Sequence, residues 1–455
     1  MDEPKIGRAH WASRTGFILA AAGSAVGLGN IWRFPYVTGE NGGGLFVLLY
    51  LACILFVGLP IVVGEIILGR GAQCSNVGAF KTLSGPRTPW RTLGGLGVVV
   101  AHLVLSFYAV VAGWAMHYTV LAVRGLLAGR SAEQIQATFG GLASSIPLNL
   151  IWTTVFLALT VAVVERGVRA GIERWSRILM PALLVLLLIL LFRATALDGF
   201  GRAFDFVFGL HADKLTGGGI IEALGHSFFT LSLGMGGLLT LGSYLDKEGD
   251  IPSMSLTIAG LDTVIALLAC LVIFPVTFSF GLEVTEGPGL IFTTIPIALA
   301  QMPAASLLAT IFFALLVFAA LTSAISLLEV ATAYYIDEKG WSRRRAVMTA
   351  GGLIAVLAIP SALTGATETF GPAFAALFGQ NWFDLMVDAS TNWALPFGGM
   401  GMALYVAWKM PAELRRAEFV AGSRWAGFYA GWLVVLRYVV PLAIIAVFLH
   451  GVGVL

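Results

Sequence analysis

Two short stretches and a few isolated side chains hold the chemistry open to this chain. The first, Gly23-Ser-Ala-Val-Gly-Leu-Gly-Asn30, places Gly23, Gly27 and Gly29 in the middle of an apolar run from about Trp11 to Thr38. A glycine costs roughly 1 kcal/mol against alanine in a helix interior, so three together predict an opened helix with unpaired backbone carbonyls. Within a bilayer such groups persist only where they line a site. The second stretch, Thr230-Leu-Ser-Leu-Gly-Met-Gly-Gly237, repeats the arrangement beside hydroxyl side chains. Close packing of helices through small residues would account for one such cluster, but it accounts poorly for two at matched positions.

In Ala319-Ala-Leu-Thr-Ser323 two hydroxyls, Thr322 and Ser323, are adjacent. They either bond back to their own helix or join the opened carbonyls in an oxygen cage for a hard cation. Asp262, in Gly260-Leu-Asp-Thr-Val264, is a carboxylate within an apolar run. Unpaired, it would cost several kcal/mol or take up a proton, and a bound cation would keep it ionised. Glu65 and Glu329 are similarly placed, and pairing to backbone or water is the simpler expectation for both. Arg33 with Asp384 or Asp388 would close an outer gate, and Arg8 with Asp337 an inner one.

These residues need a membrane scaffold to position them. At 58% hydrophobic and 11% charged, the chain falls far below the quarter or so of charged residues usual in soluble globules. Apolar runs predict an all-α polytopic protein of eleven spans, at approximately 11–38, 43–69, 93–123, 147–165, 175–192, 219–245, 252–282, 303–336, 344–363, 381–408 and 425–450. Spans 1 and 6 carry the glycine clusters, and each opens a set of five that enters the membrane from the opposite side. Interrupted helices at corresponding positions are the recognised pointer to the binding site of inverted-repeat transporters. The expected organisation is a cytoplasmic segment 1–10, a first repeat 11–192, an extracellular loop 193–218, a second repeat 219–408, a cytoplasmic loop 409–424, and a last span with an external carboxyl terminus, 425–455.

Lys and Arg cluster at 5–14, 70–91, 166–177, 339–345 and 409–424, whereas the alternate loops carry only Arg124, Arg130, Arg193, Arg202 and Lys214. The positive-inside rule therefore puts the amino terminus in the cytoplasm. Residues 1–10 lack the pattern of a cleavable signal, so the first apolar segment is expected to remain. Outside, 132–145 is expected to be structured, and 283–303 is either a lid over an outer vestibule or a connecting loop. The scattered Cys53, Cys74 and Cys270 read as packing residues. No HExxH, GxSxG, Walker or metal-spaced Cys/His pattern occurs, which argues against an enzyme.

Together Trp11-Ala-Ser-Arg-Thr-Gly16, Gly27-Leu-Gly-Asn-Ile-Trp-Arg-Phe-Pro35, Glu40-Asn-Gly-Gly-Gly44, Phe228-Phe-Thr-Leu-Ser-Leu-Gly234 and Leu321-Thr-Ser323 closely resemble the neurotransmitter:sodium symporter family, across spans 1 to 10 in order. An eleventh span without a twelfth looks like its bacterial amino-acid branch. The resemblance implies a sodium-coupled importer of a neutral, hydrophobic or aromatic L-amino acid in a bacterial inner membrane. It also implies two sodium sites. One would comprise the Ala25 carbonyl, Asn30, Thr230, Asp262 and the substrate carboxylate; the other, carbonyls of Gly23, Val26 and Ala319 with Thr322 and Ser323.

By the same likeness Tyr108, in Ser106-Phe-Tyr-Ala-Val-Val-Ala-Gly-Trp114, would donate to the substrate carboxylate beside the amides of Leu28 and Gly29. Val104, Phe229, Ser232, Met235, Ser323 and Leu327 would form an uncharged side-chain pocket, which suits an apolar side chain. Animal members that need chloride place Asn and Ser where this chain has Asp262 and Ala266, so transport without chloride is expected. His226 replaces a common family glutamine and either titrates or stays a neutral hydrogen-bonding group. Gly171 and Pro181 match a family pattern linked to inner unwinding, and Gly171→Ala is expected to slow sodium release. The expected partners are an amino acid, sodium and the lipid bilayer, with no nucleic acid, as a monomer or dimer. A symporter for another zwitterion or amine, or a channel or sensor on the same scaffold, is the alternative.

Overall fold

Hydrocarbon offers no water to a backbone, so apolar runs bury their amides by bonding within their own segment as helices. In the computed structural model, residues 9–210, 217–282 and 289–451 are described, and among them there is no strand. The principal helices are α1 (Arg14–Ala25), α2 (Gly29–Glu40), α3 (Gly44–Ala72), α4 (Arg91–Val123), α5 (Ile146–Glu165), α6 (Val168–Ala194), α7 (Gly217–Thr230), α8 (Gly237–Gly242), α9 (Ile251–Ser279), α10 (Ala305–Lys339), α11 (Arg343–Leu363), α12 (382–409) and α13 (Ala426–Gly451).

Eight described helices are long and apolar enough to cross a membrane, and the bent pair α1–α2 makes a ninth span. Of the other two expected spans, the sixth is divided into α7 and α8. The tenth, α12, is a helical run with wide turns at Ala389–Ala394 and Tyr405–Lys409. Neither is both continuous and apolar enough to be counted with the rest. The expected terminal segments lie largely outside the described residues, as do Arg8 and 283–288 of the expected lid.

Helices α4 and α10 pack along one another at the centre, each with 78% of its apolar window buried, while α13 has 22% and α5 and α6 33% each. The central pair is therefore the scaffold, and the outer helices present their side chains to lipid. Small residues make the approach possible: Ala319, Ala320 and Ala324 of α10 are all inaccessible.

Of the segments expected outside, Ala132–Ala143 is a helix with a capping box, in which Ser131 accepts from Gln134 and Gln134 accepts from Ser131. The described part of 283–303 folds as Leu290–Thr294 and Ile295–Gln301. It packs on α4 through Phe292, whose carbonyl accepts from the Tyr118 hydroxyl at 2.9 Å and whose ring meets Trp114 and Phe139. Within 193–218, Phe200–Phe208 is a helix pinned to α9 by Phe206 against Phe274 and Phe278.

Candidate ion and substrate site

The first opening lies between α1 and α2, which are bent by 52°. Val26 is extended, with ψ 106°, and ends the α1 hydrogen-bond ladder by donating to Ala22 O at 2.7 Å. Crowding explains the glycines that follow. A Cβ at Gly27 would stand 2.7 Å from Ser323 Oγ and 2.8 Å from Tyr108 Oη, and one at Gly29 would meet the Phe229 ring at 2.6 Å. The second opening, residues 231–236 between α7 and α8, needs left-handed backbone at Ser232 (φ +53°), Gly234 (φ +86°) and Gly236 (φ +75°). Serine adopts this conformation at a cost. Its hydroxyl binds the opposite opening, donating to Ser24 O at 2.9 Å.

Between the openings, Asn30, Thr230 and Asp262 form one cluster. Asn30 Nδ2 donates to Asp262 Oδ1 at 2.7 Å and to Thr230 Oγ1 at 3.1 Å, while its Oδ1 accepts from Gly27 N at 2.9 Å. The Thr230 hydroxyl lies 3.1 and 3.0 Å from the two Asp262 oxygens. Asp262 is inaccessible, and no cationic side chain bonds it among the described residues. Its partners are all neutral dipoles, so the charge is solvated by the site but not cancelled there. Ala25, the last residue of α1, closes the same end of that helix, where the macrodipole is negative.

Across α1 lies a second group of oxygens. The Ser323 hydroxyl is 3.2 Å from both Gly23 O and Val26 O, carbonyls freed by the break. Thr322 instead bonds back to Ala319 O at 2.9 Å, and a Cβ at Gly23 would lie 3.0 Å from its own Cβ. Both readings of the hydroxyl pair thus have a place: one hydroxyl turns back and the other reaches across. The set brings the five expected residues Gly23, Val26, Ala319, Thr322 and Ser323 to one place. The donors are all neutral oxygens, a set suited to a hard monovalent cation.

Outside these clusters an open cavity of about 480 Å³ runs down to Leu28, Gly29, Tyr108 and Phe229. At its floor the Tyr108 hydroxyl accepts from Leu28 N at 3.1 Å. Of the expected pocket residues Phe229 lines this cavity, half-buried with its ring facing the Arg33 guanidinium at 5.1 Å, whereas Val104, Ser232, Met235, Ser323 and Leu327 are buried and do not line it. Arg33 makes no ion pair with Asp384 or Asp388. It donates to Asn392 Oδ1 at 3.4 Å, and Asn392 Nδ2 donates to Asp388 Oδ1 at 2.7 Å, so an amide stands between the charges. Asp384 is held by Asn381 at the start of α12. The side bearing Arg33, Asp384 and Asp388 is open.

The opposite side, at the start of α1, is closed. Trp11, 5% exposed, donates from its ring to Leu241 O at 3.0 Å and from its amide to Tyr244 O at 3.2 Å. Glu329 accepts from Arg343 at 2.5 and 3.1 Å and from the Tyr244 hydroxyl at 2.6 Å. Asp337 accepts from Ser75 N at 2.6 Å, and its expected partner Arg8 lies outside the described residues. Glu65 is bonded to backbone, its Oε1 accepting from Gly234 N at 2.8 Å in the second opening. Gly171 sits in a wide-turned segment, Val168–Glu173, where a Cβ would stand 2.0 Å from Val163 O; Pro181 lies inside α6. His226 is 1% exposed, neither ring nitrogen has a partner among the described residues, and its ring packs on Phe34, Tyr50 and Phe229.

Four residues were not anticipated. Tyr50 stands 3.5 Å from Asp262 Oδ2, Asn76 donates to Met235 O at 2.8 Å, Ser24 donates to Ser326 at 2.7 Å, and Glu173 binds the start of α1. A polar side chain in an apolar run was the available signal for Tyr50 and Ser24, whereas Asn76 and Glu173 lie between the expected spans, and the partners of all four are distant in sequence.

Comparison with known proteins gives a consistent result. Residues 8–140 and 138–454 match the model of the Sodium:neurotransmitter symporter family. A sodium-dependent transporter of Bacillus subtilis, YhdH, is 41% identical over 449 residues, covering 98% of each chain. The sodium-dependent serotonin transporter of Drosophila melanogaster is 29% identical over 429 residues, 82% of this chain and 68% of its own. The crystal structure of MhsT in complex with L-phenylalanine superimposes with a TM-score of 0.89 at 42% identity, covering 97% of this chain and 99% of that one.

Proposed function

The chain belongs to the sodium:neurotransmitter symporter family, transporters and not enzymes, with the all-α fold of MhsT, and on that premise we propose that it imports a neutral, hydrophobic or aromatic L-amino acid together with sodium by alternating access. One observation carries the substrate reading. The Tyr108 hydroxyl and the Leu28 amide meet at the floor of an outward cavity lined by Phe107, Val111, Phe229 and Phe383 together with Arg33, Asp384 and Asp388, an arrangement suited to a carboxylate bound between a phenol and a helix N-terminus. Phenylalanine in MhsT supports an apolar side chain in the pocket of Val104, Phe229, Ser232, Met235, Ser323 and Leu327.

The first sodium would sit between Ala25 O, Asn30, Thr230 and Asp262, with the substrate carboxylate as a further ligand. Ion and substrate would then raise each other's affinity by the same factor, which is the thermodynamic core of symport. The second would sit between Gly23 O, Val26 O, Ala319 O, Thr322 and Ser323. With Asp262 as its fixed negative charge, the first site needs no chloride. Two repeats, 11–192 and 219–408, would rock about these sites in a cell membrane, with the amino terminus inside, as the Lys and Arg distribution supports.

A scintillation-proximity screen of the common amino acids with and without sodium tests the reading. Saturable binding of phenylalanine or another apolar amino acid in sodium alone is the expected result. Binding that ignores sodium, or no amino-acid ligand at all, would overturn it.

A further inference from the structure

The inner end of α6 carries a buried carboxylate to which neither ion nor substrate binding assigns a task. Glu173 is 2% exposed. Its Oε2 accepts from Ala12 N at 2.8 Å, and its Oε1 accepts from Ser13 Oγ at 3.1 Å and pairs with Arg177 at 3.3 Å. Ser13 is the N-cap of α1, its hydroxyl accepting from Gly16 N at 2.9 Å, and Arg177 donates to that same hydroxyl. Four residues before Glu173, Arg169 Nε donates to His10 O at 2.7 Å. The segment Val168–Glu173 therefore grips the chain from His10 to Gly16 at two points. Gly16 permits the grip, because a Cβ there would lie 2.0 Å from Glu173 Oε1.

The arrangement links two moving parts. Charge-assisted bonds from a buried carboxylate to a helix N-terminus are among the stronger polar contacts. Here the carboxylate sits at the end of the segment holding Gly171, so uncoiling that segment would carry Glu173 away and uncap α1. Swinging the inner end of α1 outward would in turn pull on the segment. Resting on the alternating-access reading above, we infer that Glu173 is a latch that makes release of α1 and opening of the inner turn of α6 one event. It is a positioning residue, acting on the inner gate through Ser13 and Ala12, and it touches neither ion nor substrate.

The test uses full-length protein with Cys53, Cys74 and Cys270 replaced and one reporter cysteine added, at Ala20 on α1 or at Ser176 on α6, both buried. Maleimide labelling rates are read in sodium and in choline. With the latch intact, sodium slows labelling at both reporters. Glu173→Ala should raise the sodium-bound rate about tenfold at both. Gly16→Ala, which keeps the carboxylate but drives it off its seat, should do the same, and it guards against a Glu173 variant that does not fold. Lys81→Ala, which breaks the inner-face pair with Glu338 away from α1 and α6, should leave both rates unchanged. Unchanged rates in both latch variants, or a rise at one reporter alone, would overturn the latch. A protein with intact latch but no response to sodium would instead count against the transport reading, and the two failures are thereby distinct.

Discussion

Asp262 is solvated by an amide, a hydroxyl and a phenol, and in the proposed first sodium site its charge would be left for the cation by those neutral partners. Asp262→Asn keeps the size and much of the hydrogen bonding but removes the charge. Its sodium affinity should fall about tenfold or more, read as the half-saturating sodium for substrate binding. An unchanged value would remove Asp262 from the ion site. In the proposed substrate site Tyr108 would contribute through one hydroxyl, which accepts from the Leu28 amide. Tyr108→Phe should weaken substrate binding about tenfold, within the range for a hydrogen bond to a charged group, while sodium binding without substrate, followed calorimetrically, stays near wild type. Much of this cluster was legible in the sequence, because a carboxylate and paired hydroxyls in apolar runs are costly unless used. Tyr50, Asn76 and Glu173 were not, since each acquires meaning only from a partner brought close by folding.

The interrupted helices were readable from glycines that a continuous helix would reject, but the way the openings are held was not. Glu65 and Asn76 satisfy backbone of the second opening from α3 and the segment after it, and Ser232 takes the left-handed turn although it is not glycine. At the first turn of α6 two effects of an added methyl oppose one another. Alanine at Gly171 was expected to slow sodium release by favouring helix, a gain of roughly 1 kcal/mol. Its methyl would instead lie 2.0 Å from Val163 O, and relieving such an overlap costs on the order of 1–3 kcal/mol against the closed form. Gly171→Ala should therefore speed sodium release, measured as the dissociation rate at unchanged expression; a slower rate would show that helix propensity wins. At the inner end of α9, Asp250 caps the helix by accepting from Ser253 N at 3.0 Å. Burial pushes its pKa up, but bonds from Ser253 and the Arg424 amide outweigh this and hold it below the ordinary carboxylate range. Its contribution is then complete above that range and fades as pH falls through the lowered value. Asp250→Ala should cost about 1 kcal/mol near neutral pH and progressively less in acid, by thermal unfolding in detergent. Equal loss at both pH values would contradict the assignment.

As a whole, the molecule is open on the side of Arg33 down to Tyr108 and Phe229 and sealed on the opposite side by Trp11, Glu329 and Arg343. Hydropathy anticipated most of the spans. The tenth apolar run, expected at 381–408, is helical over 382–409 even though Asp384, Asp388 and Asn392 face the cavity. In the proposed ion sites Asp262 would balance the charge, so replacing chloride by gluconate should leave uptake unchanged, and uptake that stopped would mean that an anion is required after all. The central claim is coupling, and the most direct measurement is uptake of labelled phenylalanine into proteoliposomes under an imposed sodium gradient. Inward sodium should drive accumulation above the external concentration, and collapsing the gradient should release it. Equilibration without accumulation, or uptake indifferent to sodium, would contradict the account.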